Sequence, residues 1–590
     1  MAKSLSTNVH RLWYLLQPSY SDIGVVALYT FFIGIFFLTV PLTAQSLVNA
    51  LASGVFNQPV LILGSAIFAG FLVVTVLRVV QLKLVELIQQ KIFVHSALRI
   101  SQKLLHVRES AFQQRYAPEV LNRFFDVLTI QKTLAKLLLD GPASMMQIVL
   151  GMILISIYSP WFLFFNLAFV VGLVVVLLLG KGGYSSSVAE SVKKYRVAQW
   201  LEEMGQCRIG FKMNGSPKGL VDKTDELLGE YLTERQRHFN VVVRQSVANY
   251  LLEAVATSGL LVIGSMLVMN GMLSLGQLVA SEIVILVILS ASGKLVQYLE
   301  SVYDLFTGVD KVCQILELEQ EEEQGQSLPT VSGGAHVVCD EIGFGYNPHQ
   351  WVIHRLNLEL QPGSHTSVVG PSGMGKSTLA GLLCGLYPVE EGEIQIQGIN
   401  IPQFDVRELR KTVALVSNGF ELFEGTVEEN ILLRLTPEQL PEGALDWVID
   451  MTCLKRDLDQ YPDGLQHKVS TAGVNLSLGQ RHRILLARAI LQKPKLLILD
   501  EALMGMDERT KLRILENLFS SENDWTILNI SHDAEIVGRT DIVHLMMDGR
   551  IVESGPPEEL AEKPDSGFAY LFPDLMKHYR AKKFAGGQDS

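Results

Sequence analysis

Long uncharged runs alternate with long polar stretches through the first half of the chain. Positions 23–77 hold no charged residue, 55 in a row, whereas one bilayer-spanning helix needs only about 20. The polar, turn-prone patch from Asn49 to Pro59 divides that run. The pattern therefore predicts helices over 23–48 and 59–82 joined by a short hairpin. It recurs over 141–180, where Ser159 and Pro160 split 40 uncharged residues into helices over 141–158 and 160–180. A third pair is expected over 250–270 and 276–296, parted by Asn270 and Gly271, with Glu253, Glu282 and Lys294 as its charges. Six spans result. Buried in water, such runs would need an enormous apolar surrounding, which lipid supplies directly.

Between the pairs, Lys83 to Leu139 and Lys181 to Asn249 are helix-prone and basic, with Arg99, Lys103, Arg108, Arg115, Arg123, Lys193, Lys194, Arg196, Arg208 and Lys212 among them. The three hairpin turns hold no Lys or Arg. By the positive-inside rule the long stretches and both termini face the cytosol. The first residues lack a short apolar core before a small-residue cleavage site, so no removable signal peptide is expected. The expected location is a cell (inner or plasma) membrane, crossed several times. Glu282, one to two turns below the expected outer end of the last helix, is the candidate for a cargo-facing residue, since charges inside spans are costly and often functional. Its plain alternative is a carboxylate that snorkels or pairs with a polar neighbour.

Composition agrees with the hydropathy. The 590 residues are 48% hydrophobic and 19% charged, against about 25% charged in soluble domains. A net charge of −12 gives no support to a nucleic-acid partner. Five widely spaced cysteines without a CxxC pair argue against a disulfide framework and a zinc site.

After the last span, Glu317 to Ser327 followed by Pro329 and Gly333-Gly334 is polar and turn-rich, a linker over 317–334. From 335 to 575 short β-type runs (HTSVVG, KLLILD, WTILNIS) alternate with helical segments, the pattern of an α/β domain with a mostly parallel sheet, and 576–590 form a tail. Within it Gly370, Pro371, Ser372, Gly373, Met374, Gly375, Lys376 and Ser377 match GxxxxGK[ST], directly after a β-like run and before a helical one that opens with Thr378. The glycines let backbone N–H groups wrap phosphates, Lys376 reaches the β and γ phosphates, and Ser377 ligates magnesium. The buried-type strand KLLILD delivers Asp500, suited to magnesium, and Glu501, placed to accept a proton from water attacking the γ phosphate. An acidic residue after a strand is also a common helix cap. ATP and Mg²⁺ are the expected ligands. The fold class is a multidomain membrane protein, an all-α six-helix transmembrane domain over 1–316 plus an α/β P-loop ATPase domain.

Leu476-Ser477-Leu478-Gly479-Gln480, followed by RHRILLARAI, makes the set resemble the ATP-binding cassette (ABC) transporters, specifically an exporter-type half-transporter. The resemblance implies that Tyr346 in FGY stacks on adenine, Glu501 is the catalytic base, His532 contacts the γ phosphate, and Asp507 belongs to the loop beyond it. Asn418 takes the place of a family glutamine that reaches magnesium and the attacking water. Ser477, Gly479 and Gln480 would contact ATP held by a second chain, since two cassettes close on two nucleotides. A homodimer is the expected assembly, with a heterodimer of two half-transporters as the alternative. Helices near Pro118 to Phe125 and Cys207 to Asn214 would transmit closure to the spans. Three departures stand out: Leu478 for a signature glycine, Asn418 for glutamine, and MGMD for the usual SALD. Either of the first two could slow hydrolysis, but Glu501 and His532 remain, so an active ATPase is expected.

The implied function is ATP-driven export of a hydrophobic, lipid-like or peptide-like cargo that the sequence does not identify. An ATP-gated channel or an importer on the same scaffold is the alternative. No peptidase domain precedes the first span, so an exporter that trims its own cargo is not expected.

Overall fold

The computed structural model describes residues 2–52, 58–112, 117–321, 325–326, 333–347, 350–419, 421–433, 435, 440–563, 566–577 and 579. Residues 53–57 of the hairpin expected between the first two spans, half of the linker (322–324 and 327–332) and most of the tail lie outside the described residues. The chain divides into two compact units, Met1–His106 with Arg115–Leu318, and Val107–Gln114 with Glu319–Ser590.

The first unit is helical: α1 (Ala2–Leu16), α2 (Tyr20–Phe37), α3 (Thr39–Ala52), α4 (Gln58–Leu104), α5 (Ala117–Asn122), α6 (Asp126–Tyr158), α7 (Trp161–Leu179), α8 (Gly183–Gln206), α9 (Arg208–Asn214), α10 (Pro217–Met269) and α11 (Leu275–Leu316). Six stretches are long and apolar enough to cross a membrane. The expected spans are only parts of these helices. The 53 residues of α10 rise about 80 Å at ~1.5 Å per residue, far more than a bilayer core. The expected helix over 23–48 is interrupted at Leu38 between α2 and α3. Pro41 offers no N–H to the Phe37 carbonyl one turn before it, and the Thr39 hydroxyl donates to the neighbouring Phe36 carbonyl at 2.5 Å.

Inside this unit α11 packs along α6, α10 and α3 around buried Ile155, Phe162, Leu260, Ile285 and Ile288. Its start is fixed by a capping box in which Ser274 and Gln277 satisfy each other's backbone N–H groups. Among the partnered acids of the helical unit, Asp140 accepts from the Tyr298 hydroxyl at 2.8 Å and Glu253 from the Asn249 amide at 2.7 Å.

The expected transmitting segment at 118–125 stays with the helices, as α5 and the turn Arg123–Phe125. The residues grouped with the second unit are Val107–Gln114. They are tied there by the Arg108–Glu319 ion pair at 2.7 Å and by an Arg108 N–H donated to the Glu319 carbonyl at 2.9 Å.

The second unit contains β1 (Val337–Phe344), β2 (Ile353–Leu360), β3 (His365–Val369), β4 (Glu391–Ile396), β5 (Ile399–Asn400), β6 (Val413–Ser417), β7 (Gly425–Thr426), β8 (Lys468–Val469), β9 (Leu496–Asp500), β10 (Thr526–Ile530), β11 (Ile542–Met547) and β12 (Arg550–Gly555). The main sheet has the order β12-β11-β3-β10-β9-β6. It is parallel from β11 to β6, with β12 antiparallel at its edge. Every residue of β9 and β10 is buried, which is why both read as continuous apolar runs rather than alternating ones. An antiparallel sheet β2-β1-β4-β5 accompanies it, a second layer that the sequence pattern does not announce.

Candidate active site

In a parallel sheet the carboxyl ends of the strands point the same way, and ligands gather beyond them. Here β3, β10, β9 and β6 are consecutive neighbours. They deliver the Gly370–Ser377 loop, His532, Asp500-Glu501 and Ser417-Asn418 to one edge. Register makes this local, because Ser417 pairs with Asp500 and Ile530 pairs with the same residue.

The loop after β3 leads into α12 (Lys376–Leu383). Gly370 has φ +151°, and a Cβ there would lie 2.1 Å from the Met546 carbonyl oxygen, so only glycine fits. The turn leaves the α12 N-terminus open toward the loop, a dipole that favours phosphate. Lys376 Nζ donates to the carbonyls of Gly370 and Pro371, both at 2.8 Å, so the ammonium is folded over the concavity of the loop. Burial pushes this ammonium below its ordinary value, with Glu501 and Asp500 opposing. An incoming phosphate anion relieves that penalty.

Asp500 is buried at the end of β9. Burial pushes its carboxyl up; the Ser377 hydroxyl opposes this, Glu501 reinforces it, and Ser417 and Lys376 oppose it. Among the described residues no group of three or more His, Cys, Asp or Glu gathers to hold a metal. A magnesium ion fits this donor set all the same, since it is commonly held by one carboxylate and a hydroxyl, with water and substrate phosphate completing the shell. The Asp500 carboxylate, desolvated and beside a second acid, is the kind of oxygen a dication stabilises.

Glu501 is exposed and has a left-handed φ of +54°, a conformation that costs a non-glycine residue about 1 kcal/mol or more. The loop holds it there, since the Glu501 N–H donates to the Ile530 carbonyl at 2.9 Å and its own carbonyl accepts from Met504 at 3.2 Å. Glu501 and His532 line one cavity of about 340 Å³ with Asn529, Ser531 and Asp533. Tyr346 lies beside the loop. Its hydroxyl is 3.0 Å from Thr378 Oγ1 and its ring meets Phe344 and Tyr387 edge-on, leaving it part exposed as a base-stacking residue would be.

The signature residues stand apart. Ser477 caps the helix Leu478–Ile490 in a capping box with Gln480. Among the described residues no hydrogen bond or ion pair joins 477–480 to 370–378; the side chains of Ser477 and Gln480 bond each other's backbone N–H, and Gln480 also donates to Asp457. Gly479 is buried, with the Gly505 carbonyl oxygen 2.9 Å from where its Cβ would sit. Asp507 caps the helix Glu508–Leu518 by accepting from the Thr510 N–H at 3.1 Å, and hydrogen bonds from the Thr510 hydroxyl first and its N–H second hold the carboxyl below the ordinary range.

Comparison with known proteins adds to this geometry. Residues 353–504 match the family model described as ABC transporter. The chain is 24% identical over 531 residues to a transport/processing ATP-binding protein, ComA, of Streptococcus pneumoniae, covering 88% of this chain and 72% of that one. It is also 24% identical over 535 residues to a multidrug resistance ABC transporter ATP-binding and permease protein of Lactococcus lactis, covering 89% and 88%. A bacterial Atm1-family ABC exporter solved with ATP bound superposes with a TM-score of 0.84 at 20% identity, covering 94% of this chain and 99% of that one. Residues 353–504 are thus an ABC transporter domain, and the chain has the fold of an ABC exporter, six apolar helices followed by one ATP-hydrolysing cassette.

Two residues of this ABC cassette escaped the sequence motifs. Ser417 Oγ lies 3.4 Å from Asp500 Oδ2, a contact foreshadowed only by its place beside Asn418. His482, in the second turn of the signature helix, is 2% exposed. Its Nε2 is 3.2 Å from Asn418 Oδ1 and its Nδ1 is 2.9 Å from the Met504 carbonyl. Burial pushes this imidazole below its usual value, with the Met504 carbonyl opposing. No spacing rule points across the 64 positions that separate it from Asn418.

Proposed function

We propose that two copies of this half-transporter form a homodimer, with cassettes and termini on the cytosolic side of a cell membrane, that exports a hydrophobic, lipid-like or peptide-like cargo by alternating access. The observation that carries the proposal is the division of the catalytic groups. Lys376, Ser377, Asp500, Glu501, Asn418 and His532 gather at one sheet edge, whereas Ser477, Gly479 and Gln480 lie at the start of a different helix and, among the described residues, make no hydrogen bond to those six. One chain thus offers two halves of a site, and a second copy supplies the complement of each.

In this assembly Tyr346 stacks on adenine, and the loop from Gly370 to Thr378 wraps the phosphates. Lys376 exchanges the carbonyls of Gly370 and Pro371 for phosphate oxygens. Ser377, Asp500 and Asn418 are the residues that would hold Mg²⁺, which when bound neutralises charge on the phosphates. Glu501 takes the proton of the attacking water, and His532, in the same cavity, donates a hydrogen bond toward the γ phosphate. Ser477, Gly479, Gln480 and Asp507 face the nucleotide of the partner copy. Nucleotide contacted from both sides holds the cassettes together, and hydrolysis removes that differential binding. The multidrug and transport/processing relatives support a hydrophobic or peptide-like cargo.

The test is reconstitution in liposomes with Mg²⁺ and ATP, with flux of an amphipathic dye measured against turnover. Mixing wild-type chains with Glu501→Gln chains should lower activity more than in proportion to the wild-type fraction. Strict proportionality would mean that each chain works alone and would reject the dimeric site. Copurification of a different half-transporter in equal amount would replace the homodimer by a heterodimer.

A further inference from the structure

Tyr346 lies two residues beyond Phe344, the last residue of β1, and the strand pairing stops before it. The sheet ladder therefore does not hold it, and side-chain contacts set the plane of its ring. Two of these are edge-on aromatic contacts, with Phe344 at a centroid distance of 5.1 Å and with Tyr387 at 5.6 Å, each at an interplanar angle of 84°. The third is the 3.0 Å bond between its hydroxyl and Thr378 Oγ1. We infer that Thr378 is a positioning residue for Tyr346, and that the bond between the two hydroxyls orients the ring for the nucleotide base.

Edge-on contacts alone fix a ring loosely, because aromatic pairs attract over centroid distances of about 4.5–7 Å. A hydrogen bond at the tip of the ring is shorter and directional, so it selects one orientation from that range. Thr378 has a reason to make it. Helical threonines elsewhere in the chain, such as Thr75 and Thr452, donate to the carbonyl four residues earlier. Thr378 is the third residue of α12, too early for such an acceptor within the helix. It is also only 6% exposed, so little water reaches its hydroxyl in place of Tyr346. A hydroxyl both donates and accepts. Tyr346 can therefore donate to Thr378 Oγ1 while Thr378 keeps its own hydrogen for a phosphate oxygen at the start of α12, and linked hydroxyls strengthen one another. The ring that meets the base and the helical turn that meets the phosphates are in this way one connected unit, although 32 positions separate them. Tyr346 remains 39% exposed, enough to offer a face to a base.

The inference rests on the proposed stacking of Tyr346 on adenine, and the experiment separates the two. In the full-length protein in lipid with Mg²⁺, the readouts are the concentrations of ATP and of inorganic triphosphate that half-saturate the ligand-induced rise in Tm. Their ratio reports the nucleoside, since both ligands carry the phosphates. Tyr346→Phe keeps the ring and its packing. It is expected to weaken ATP about fivefold, equivalent to about 1 kcal/mol for one hydrogen bond, and to leave inorganic triphosphate unchanged. Thr378→Val should shift the ratio by the same factor, the double variant should shift it no further, and Thr378→Ser should restore it. Should Thr378→Val fail to fold, Thr378→Ala takes its place. A wild-type ratio in Tyr346→Ala would overturn the stacking and this inference with it. A changed ratio in Tyr346→Ala beside a wild-type ratio in Tyr346→Phe or in Thr378→Val would overturn this inference alone. Equal weakening of both ligands by Tyr346→Phe would do the same, as would shifts of the two single variants that add in the double one.

Discussion

Two faces of one cassette behave differently. At the sheet edge, groups from four neighbouring strands converge, and Lys376 and Asp500 both carry a burial penalty, which a phosphate anion would lift for the ammonium and a magnesium ion for the carboxylate. At the signature face, Ser477 and Gln480 satisfy each other, and the departures from the family pattern are absorbed within the chain. A Cβ added to Gly505 would lie 2.7 Å from Leu478 Cδ2, so the Leu478 side chain rests on Gly505. Leucine in LSLGQ and glycine in MGMD are therefore one compensated pair. The edge is built to change when ligand arrives, and the signature face is built to hold its shape.

The largest expected break in that contrast is Glu501→Gln. It removes the proton acceptor from the edge and leaves the signature face untouched, so turnover should fall about 10²–10⁴-fold, the range for a general base. ATP binding should persist and a closed dimer should accumulate, as read by phosphate release and by gel filtration with ATP. Phosphate release at the wild-type rate would remove Glu501 from its role.

Next in size is Gly505→Ala. The residue has φ +77° and the new methyl meets Leu478, so the loop should be strained by about 1–3 kcal/mol, lowering Tm and displacing Asp507. Adding Leu478→Ala should recover the part due to the contact and not the part due to the backbone. Full recovery would mean that the left-handed conformation costs nothing here.

These contrasts also mark what the sequence conveys. The spans are legible because 55 uncharged residues have no other economical environment. The loop from Gly370 to Ser377 and the pair Asp500-Glu501 are legible because the strand that delivers them is adjacent in the chain. The bond of His482 to Asn418, the seat of Leu478 on Gly505, and the grouping of Val107–Gln114 with the cassette are not, because each joins segments brought together only by tertiary packing. The break between α2 and α3 sits within reach of Pro41, a signal present in the sequence that the dominant hydropathy masks.

A smaller effect is expected from Leu478→Gly, and its sign is informative. A leucine in a phosphate-facing turn is expected to slow hydrolysis, but this side chain turns back onto Gly505 and leaves the helix N-terminus open. Turnover should therefore change by less than about threefold, under 1 kcal/mol of barrier. Stability should drop instead, because glycine enters the first helical position and the Gly505 contact is lost. A tenfold rise in turnover would show that Leu478 obstructs the nucleotide after all.

The smallest change expected at the cassette is also the one that reaches furthest from it. Glu282 lies seven residues into α11, about 10 Å from its N-terminal end at ~1.5 Å per residue. Asp140 and Glu253 each have a hydroxyl or amide donor, whereas the half-buried Glu282 has no hydrogen bond or ion pair among the described residues. A carboxylate at that depth without a protein partner is costly unless something else engages it, and a cargo carrying a donor or a positive charge would do so. Glu282→Ala should then leave basal turnover within about twofold, well under 1 kcal/mol of barrier, and abolish the stimulation that a cationic amphiphile produces. Glu282→Gln separates charge from hydrogen bonding, since it should keep stimulation by a neutral cargo and lose it for a cationic one. Unchanged stimulation and flux in both variants would mean that Glu282 reaches lipid headgroups or water, and that cargo is recognised elsewhere among the helices.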